Sequence, residues 1–291
     1  MLINLRDICA IAEQDNIAIA AFNTPSLEAV RAAIDSAEIT GLPVIIQHAG
    51  CHENIVPLDV IGPTMVTLAE RSTAQVCVHL DHCDKLSYMH RALEIGFGGV
   101  MYDGSTMPYE VNVENSMRAA AMCSDYSCGL ECELGSMGAR EGDLLEGTED
   151  AAQHAEVNYT DPDQAADFVA ATGLDALACS FGTVHGLYRG EPKLSIDVLD
   201  AIRAKVSVPL VMHGGSGVTR EDYRRAISAG VRKINYYTYG VKYAGEAVLE
   251  SVEKRRARID NPVILWHDMT TIAYQRLLDD CIEVMNTFAG R

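Results

Sequence analysis

Eight short apolar runs, each followed by a stretch of helical periodicity, constrain the fold of this 291-residue chain more than any other feature. The runs span residues 17–23, 44–47, 76–81, 98–104, 129–135, 176–182, 209–215 and 233–238. Buried parallel strands are near-continuously apolar, and strands that alternate with helices form βαβ units. Eight such units in this length favour a (β/α)8 TIM barrel over a doubly wound sheet. We expect a single domain over residues 1–291 that ends in helices at about 240–291.

The helical segments carry recognisable start and stop residues. In the first segment, we predict Thr24 as the N-cap, Pro25 in the first turn and Gly41 as the stop. The segment that begins near residue 161 repeats the pattern, with Asp161 as the N-cap and Pro162 in the first turn. Proline at a helix start and glycine at its end support helices in both places.

One connection is unusually long. About 25 residues rich in glycine and acidic side chains separate the fifth apolar run from the next helix and show little periodicity. Long connections inside compact domains are usually functional, and many act as lids. We therefore predict a mobile active-site loop over about 136–160 that closes over the site.

Charge and cysteine usage limit the partners and the compartment. The chain has 41 acidic and 23 basic residues, so its formal charge of −18 repels nucleic-acid backbones and anionic membrane surfaces. No apolar run approaches the roughly 20 residues of a membrane span, and the N-terminus does not resemble a secretory signal. The nine cysteines form no CxxC pair and lie mostly in apolar runs, as buried thiols do in a reducing compartment. We expect a cytoplasmic protein that binds neither nucleic acid nor membrane.

Polar side chains follow the predicted strands at the end where a barrel builds its active site. They are Asn23, Gln47, Asp81, His82, Asp103, Glu133, His185, His213, Asn235 and Thr238. Three of them are histidines, which are common zinc ligands, and three protein ligands with an open position are typical of a catalytic zinc site. His79 is expected to be structural, and five further histidines are expected to be ordinary hydrogen-bonded residues: His48, His52, His90, His154 and His267.

Two glycine-rich turns indicate a phosphate site. The segments GTVHG (residues 182–186) and HGGSG (213–217) follow the sixth and seventh predicted strands. Glycine permits close approach of a ligand to backbone amides, and barrels often bind phosphate at these turns. The turns favour a phosphorylated ligand whose charge is met by amides.

The motifs HLDH, MYDGS, ECELG, YTDP, GTVHGLY, PKL and VMHGGSG resemble, in order and spacing, the class II (zinc-dependent) ketose-bisphosphate aldolases, the fructose- and tagatose-1,6-bisphosphate group. The resemblance runs from about Ala20 to Thr238. It implies a TIM barrel, a homodimer or homotetramer, and bound zinc. It also implies reversible cleavage of a sugar phosphate to dihydroxyacetone phosphate and an aldehyde through a zinc-stabilised enediolate.

The resemblance also implies roles for individual residues. The zinc ligands are His82, His185 and His213, while Asp103 and Glu133 hold or steer the metal in a second position. Asp81 is the acid/base at the hydroxyl next to the breaking bond, and Glu141 in the long loop moves the proton at C3 of dihydroxyacetone phosphate. The ketose phosphate is bound by Asn23, Gly186, Gly214, Ser216, Asn235 and Thr238. A monovalent cation is a further cofactor that the family suggests.

Several positions depart from the family pattern, and all lie near the substrate. Ala49 stands where the family has a serine, Tyr237 replaces an aspartate or asparagine, and Arg140 replaces an acid. They predict an unusual aldehyde half, with a ketose 1-phosphate or a 1,6-bisphosphate as substrate. A Schiff-base route is not favoured because no predicted strand ends in lysine, and Lys233 lies at the opposite end of its strand. The alternatives are a zinc hydrolase on the same barrel and an inactive companion subunit.

Overall fold

The computed structural model describes residues 1–135, 158–187 and 192–291. Eight parallel strands pair in chain order, and the last closes the sheet against the first. They are β1 (Ile19–Asn23), β2 (Val44–Ala49), β3 (Val76–Cys83), β4 (Gly99–Tyr102), β5 (Gly129–Leu134), β6 (Ala176–Cys179), β7 (Leu210–Met212) and β8 (Val231–Tyr236). The predicted (β/α)8 barrel is confirmed, and each of the eight predicted runs overlaps one strand.

Helices surround the barrel and extend beyond its last strand. They are α1 (Leu5–Asp15), α2 (Leu27–Thr40), α3 (Leu58–Arg71), α4 (Leu86–Ile95), α5 (Tyr109–Asp125), α6 (Pro162–Thr172), α7 (Ile196–Arg203), α8 (Arg220–Ser228), α9 (Thr238–Arg258) and α10 (Trp266–Phe288). A 3-10 turn, Gly50–Asn54, follows β2. Helices α9 and α10 are the predicted C-terminal extension, and α10 packs against α2.

Helix α1 closes the end of the barrel where the strands begin. Its residues Leu5, Ile8 and Ala12 are fully buried and belong to the same apolar cluster as the inward-facing Ile45 and Val211. Burying each large aliphatic side chain contributes about 1.5–3 kcal/mol. Among the described residues, apolar side chains fill this end, so a ligand would enter at the opposite end.

Side chains alternate between the inside and the outside of the barrel, as the pleat of a strand requires. In β3, Val78 and Leu80 pack in the outer cluster with the helices, whereas Cys77 belongs to the inner cluster. His79 and Asp81 continue the inner face and are also fully buried. The barrel interior therefore changes from apolar near the strand starts to polar near the strand ends.

The predicted start of α2 is wrong by two residues. Its N-cap is Ser26, whose hydroxyl accepts a hydrogen bond from the amide of Ala29 at 3.2 Å. Thr24 instead donates both its amide and its hydroxyl to the carbonyl of Gln47, which prolongs the pairing of β1 with β2. The predicted stop is confirmed, since Gly41 ends the helix with φ of 68°.

The cap of α6 and the burial of the cysteines agree with the sequence predictions. Asp161 caps α6 and Pro162 opens it, as predicted. Eight of the nine cysteines are buried and Cys51 is half-buried. Within the three described ranges, no helix is both long and apolar enough to cross a membrane. Residues 136–157 of the predicted active-site loop lie outside the described part of the chain.

Candidate active site

Three histidine rings meet at the open end of the barrel. His82 is the penultimate residue of β3, His185 follows β6, and His213 comes directly after β7. The Nε2 atom of His82 lies 3.1 Å from Nε2 of His185 and 2.8 Å from Nδ1 of His213. The structure therefore brings together the three histidines that were predicted as metal ligands.

An irregularity in β3 allows two adjacent residues to serve the same site. Neighbouring side chains of a regular strand point to opposite faces, yet Asp81 and His82 both reach the barrel mouth. The register between β3 and β4 shifts between Leu80 and Cys83, and His82 has a left-handed φ of 38°. Bulges re-aim side chains, and strained backbone clusters at functional sites. The local conformation turns His82 inward beside Asp81.

The donor atoms fit a zinc ion. In tetrahedral coordination with Zn–N distances of about 2.0–2.1 Å, two nitrogen ligands lie about 3.3 Å apart. The nitrogens of His82, His185 and His213 lie within 4.8 Å of one another, and two of their separations are 3.1 and 2.8 Å. A modest opening of the cluster would accept the ion.

A second group shares His82 and includes two carboxylates. Donor atoms of His82, Asp103 and Glu133 also lie within 4.8 Å of one another. The Oε2 atom of Glu133 is buried and has no hydrogen-bond partner among the described residues. An unpartnered buried carboxylate oxygen fits a cation, so the donor set suits a metal, and the second metal position stays a prediction.

The outer nitrogens of two histidines are held by carboxylates. Nδ1 of His82 lies 3.0 Å from Oδ2 of Asp103, and Nε2 of His213 lies 2.7 Å from Oε1 of Glu131. Metal-binding histidines generally make such a second contact, which fixes the tautomer and the ring orientation. These contacts leave Nε2 of His82 and Nδ1 of His213 to face the metal position.

Two amides fix the carboxylate of Asp81, which is completely buried. Nδ2 of Asn23 donates to one carboxylate oxygen and Nδ2 of Asn235 donates to the other, each at 3.1 Å. Gln47 donates in turn to Oδ1 of Asn23 at 2.7 Å. Asn23 and Asn235, predicted to bind the ketose phosphate, therefore also orient the predicted acid/base.

One cavity joins this site to the glycine turns. Its lining contains all six predicted substrate residues together with His185 and Tyr237: Asn23, His185, Gly186, Gly214, Ser216, Asn235, Tyr237 and Thr238. Gly214 has φ of 62°, and a Cβ there would collide with the carbonyl of Val184. Helix α9 begins at this cavity, and the amides of a first helical turn have no carbonyl partner within the helix, which suits an anion. The amide of its N-cap, Tyr237, donates to Oγ of Ser216 at 3.0 Å. The cavity suits a phosphate group.

The sequence as a whole matches a known enzyme family. The profile of the family described as fructose-bisphosphate aldolase class-II matches residues 3–289. The chain belongs to the class II fructose-bisphosphate aldolase family. The resemblance found in the sequence is confirmed, and it extends past Thr238 into the C-terminal helices.

Individual relatives agree with this assignment. The uncharacterized protein YdjI of Escherichia coli strain K12 is 34% identical over 252 residues, which are 87% of this aldolase-family chain and 88% of YdjI. The crystal structure of the YdjI aldolase superposes with a TM-score of 0.83 at 30% identity, covering 99% of this chain and 97% of that one. Fructose-bisphosphate aldolase from Campylobacter jejuni gives a TM-score of 0.78 at 22% identity, over 99% and 95% of the two chains. The last comparison supports the fold alone.

The charges in this candidate site influence one another strongly. Burial disfavours a charged His82, but the carboxylates of Asp81 and Asp103 outweigh it and raise the pKa of His82 to about 10. Burial also disfavours a charged Asp81, but the nearby imidazoles of His82 and His213 hold the pKa of this carboxyl below its usual range. Burial together with Asp103 raises the pKa of Glu133 well above its usual range. Without metal, the site therefore carries a proton on His82 and an ionised Asp81.

Ala49 lies between two histidines that have different surroundings. Ala49 is opposite Asp81 in the β2–β3 register, as expected of a residue facing the mouth. His48 is an ordinary hydrogen-bonded residue, as predicted, because its ring faces α4 and Nε2 lies 2.9 Å from the hydroxyl of Tyr88. His52, expected to be an ordinary residue, is fully buried with its ring 5.0 Å from that of Tyr237. This ring pair forms a wall beside the site.

Sequence reasoning missed two buried charged residues beneath the histidines. Glu131 and Lys233 are fully buried, with 2.9 Å between the ammonium and a carboxylate oxygen. Burial opposes the ionised carboxyl, but Lys233 holds the pKa of Glu131 well below its usual range. Lys233 is the third residue of the six-residue β8, so placing it at the opposite strand end was inaccurate. Both precede a predicted site residue by two positions, the spacing that puts residues on one face of a strand.

Two further predicted residues belong to the long loop. Glu141, the predicted carboxylate of the long loop, and Arg140 beside it lie outside the described residues. The catalytic role of Glu141 stays a prediction.

Proposed function

We propose that the protein is a zinc-dependent lyase that reversibly cleaves a ketose 1-phosphate or a fructose- or tagatose-type 1,6-bisphosphate to dihydroxyacetone phosphate and an aldehyde. One observation carries the proposal: His82, His185 and His213 converge beside Asp81 at one edge of the phosphate-suited cavity. Membership of the class II aldolase family supports the same chemistry. The chain is proposed to act as one domain over residues 1–291.

Each residue of the site is proposed to perform one part of the reaction. Zinc, when bound, supplies Lewis-acid stabilisation of the negative charge that develops on the substrate. Asp81 accepts the proton of the hydroxyl next to the bond that breaks, and it returns that proton in the condensation direction. Asn23 and Asn235 hold both of its oxygens, so the carboxylate keeps one orientation throughout. Glu141 is proposed to move the proton at C3 of dihydroxyacetone phosphate.

The phosphate on C1 would be held by the lining of the cavity. Gly186, Gly214, Ser216 and Thr238 surround it, and no lysine or arginine is among the described lining residues. Backbone amides of the glycine turns and of the first turn of α9 are the proposed donors. This arrangement suits a strongly acidic chain that must still bind an anion.

The aldehyde half is proposed to be unusual. Ala49 offers no hydroxyl where the family has a serine, and His52 with Tyr237 forms an aromatic wall nearby. Burial lowers the pKa of His52 to about 4, so its ring is neutral at pH 7 and offers no positive charge to a distal phosphate. An aldehyde without a phosphate is therefore favoured over glyceraldehyde 3-phosphate.

An aldol-direction screen tests the proposed function. Purified zinc-loaded protein is incubated with dihydroxyacetone phosphate and a panel of phosphorylated and unphosphorylated aldehydes, and ketose products are quantified. We expect condensation with at least one aldehyde, loss of it after chelation, and its return on adding zinc. Absence of product with every aldehyde, together with no protection of the folded protein by dihydroxyacetone phosphate, would contradict the proposal.

Zinc affinity should increase with pH. A metal-binding imidazole must be neutral, and the raised pKa of His82, about 10, means that its proton must leave before zinc binds. The neutral fraction increases about tenfold per pH unit below this pKa, so the Kd for zinc should fall about tenfold per unit between pH 7 and 9. Competition titrations against a chelator of known affinity measure this slope, and a Kd independent of pH would contradict the charge assignment.

The chain is also proposed to form a homodimer or homotetramer through the end of its C-terminal hairpin. Where α9 and α10 meet, four apolar side chains are exposed, including the only tryptophan: Ile259, Val263, Leu265 and Trp266. Val263 is 73% and Trp266 is 74% exposed, and exposed apolar clusters mark interaction surfaces. Sedimentation equilibrium should give two or four times the 31.6 kDa of one chain. Trp266→Ser should weaken the association, whereas Val60→Ser, an exposed apolar position on α3, should not.

A second metal position and a cytoplasmic location are also proposed for the protein. His82, Asp103 and Glu133 are proposed to offer a second metal position, and the monovalent cation stays a prediction. A cytoplasmic location is supported by the nine cysteines, none of which forms a disulfide in the described structure. Recovery of the protein in a membrane or extracellular fraction of its cell would argue against it.

A further inference from the structure

Lys233 is a buried cation that makes contacts on two sides. Its side chain is fully buried inside the barrel, and its ammonium lies 2.9 Å from Oε2 of Glu131. The same ammonium donates to Oδ1 of Asn235 at 2.7 Å. Inward-facing neighbours such as Val211 and Ala178 fill the barrel with apolar side chains. Since a hydrophobic residue of similar size would serve packing equally well, a buried ion pair here calls for another explanation.

The first contact leads to the proposed metal position. Glu131 uses Oε1 to hold Nε2 of His213 at 2.7 Å, while its other oxygen is held by Lys233. That second oxygen also lies 3.4 Å from Nε2 of His79. One oxygen is hydrogen-bonded and the other is ion-paired, so rotating the carboxylate would weaken both contacts, and the ring of His213 keeps Nδ1 toward His82.

The second contact leads to Asp81. An amide has one accepting oxygen and one donating nitrogen, whereas an ammonium only donates. Lys233 therefore makes Oδ1 of Asn235 point toward the ammonium and leaves Nδ2 to face Asp81 at 3.1 Å and Nδ1 of His213 at 3.3 Å. In the flipped amide, an oxygen would face the carboxylate of Asp81 and the two would repel.

Resting on the proposed function, we infer that Lys233 is a positioning residue that sets the orientation of His213 through Glu131 and of Asp81 through Asn235. It touches neither the metal position nor the cavity that suits the substrate. One side chain thus aligns the group that binds zinc and the group that moves the proton.

Gln47 provides a matched comparison. It orients Asn23 on the other side of Asp81 in the same way, through a 2.7 Å hydrogen bond to the amide oxygen. None of its described contacts leads to Glu131 or His213. Loss of Gln47 should therefore disturb Asp81 alone, whereas loss of Lys233 should disturb both Asp81 and zinc binding.

The experiment uses the full chain with Lys233→Met, Gln47→Met and Lys254→Met, the last at an exposed lysine of α9. Zinc alone is titrated into metal-free protein against a competing chelator, and kcat and KM are then measured at saturating zinc. Lys233→Met should raise the Kd for zinc about 10–100-fold, as loss of an outer contact to a ligand does. It should also lower kcat at least about tenfold while KM changes less than about threefold. Gln47→Met should lower kcat at unchanged zinc Kd, and Lys254→Met should match the parent in all three values.

A double variant distinguishes a specific effect on zinc binding from a general loss of folding. Lys233→Met leaves Glu131 buried without its partner, so Lys233→Met combined with Glu131→Gln removes both charges and restores a neutral core. This double variant should fold, as circular dichroism would show, and should still bind zinc at least about tenfold more weakly than the parent. A folded variant that lacks Lys233 and keeps the parent's zinc Kd and kcat would overturn the inference. If the parent itself binds no zinc, the proposed function fails instead, so the two failures are distinguishable.

Discussion

Replacing His82 with alanine should abolish zinc binding and lower kcat/KM by at least about a thousandfold. His82 takes part in both candidate metal groups, so no alternative set of described ligands survives its loss. A metal that acts as a Lewis acid contributes several kcal/mol of transition-state stabilisation, and each 1.4 kcal/mol is about tenfold in rate. Zinc content by atomic emission and turnover of the preferred ketose phosphate measure the two effects.

Backbone strain at this position requires a second variant. His82 has φ of 38°, where alanine is strained and asparagine is tolerated. His82→Asn should therefore keep the local fold while still losing zinc. His267→Ala, at a side chain that is 76% exposed, should retain both zinc and activity. Full zinc content and turnover in His82→Asn would contradict the assignment of the metal site.

The barrel was predictable because its signal repeats. Each apolar run overlaps a strand, since buried parallel strands carry few polar residues, and the polar residue at the end of each run lies at one rim of the barrel. His213 and Asn235 were found in this way. The roles of individual residues came from the family resemblance, because strand patterns do not distinguish a zinc ligand from a hydrogen-bonded histidine.

The relation between Asp81 and His82 could not be derived from periodicity. Alternation predicts that one of them faces the helices, yet both face the mouth because β3 and β4 change register there. A bulge depends on the partner strand as much as on its own sequence. The residues "HLDH" give no local sign of the bulge. Glycine usually marks a position with positive φ, but here the position is occupied by His82.

The turn after β2 shows how tertiary contacts decide where two neighbouring histidines lie. His48 alternates with Gln47 and therefore faces outward toward Tyr88. His52 is brought to the mouth by the 3-10 turn, which passes so close to β3 that a Cβ on Gly50 would lie 2.9 Å from the carbonyl oxygen of His82. Sequence spacing alone assigns no direction to a side chain in such a turn.

Asp81→Asn should lower kcat by about 10²–10⁴ while leaving zinc content and the binding of dihydroxyacetone phosphate nearly unchanged. The substitution preserves shape but removes the group that accepts the hydroxyl proton. It also places an amide NH2 against Nδ2 of Asn23 or Asn235, so that a donor faces a donor. This mismatch should reduce the free energy of unfolding by about 1–3 kcal/mol. Steady-state kinetics and urea denaturation measure the two effects separately.

The matched control is Asp84→Asn, an exposed carboxylate three residues further along the chain, which should keep the parent's kcat and stability. The proton-transfer role also separates two steps of the reaction. Exchange of the C3 proton of dihydroxyacetone phosphate with solvent does not require the hydroxyl proton, so Asp81→Asn should retain exchange while it loses cleavage. If Asp81→Asn loses both steps while zinc stays bound, Asp81 supports the whole site and not one proton transfer. If its kcat stays within about threefold of the parent, far short of the expected range, Asp81 has no role in the mechanism.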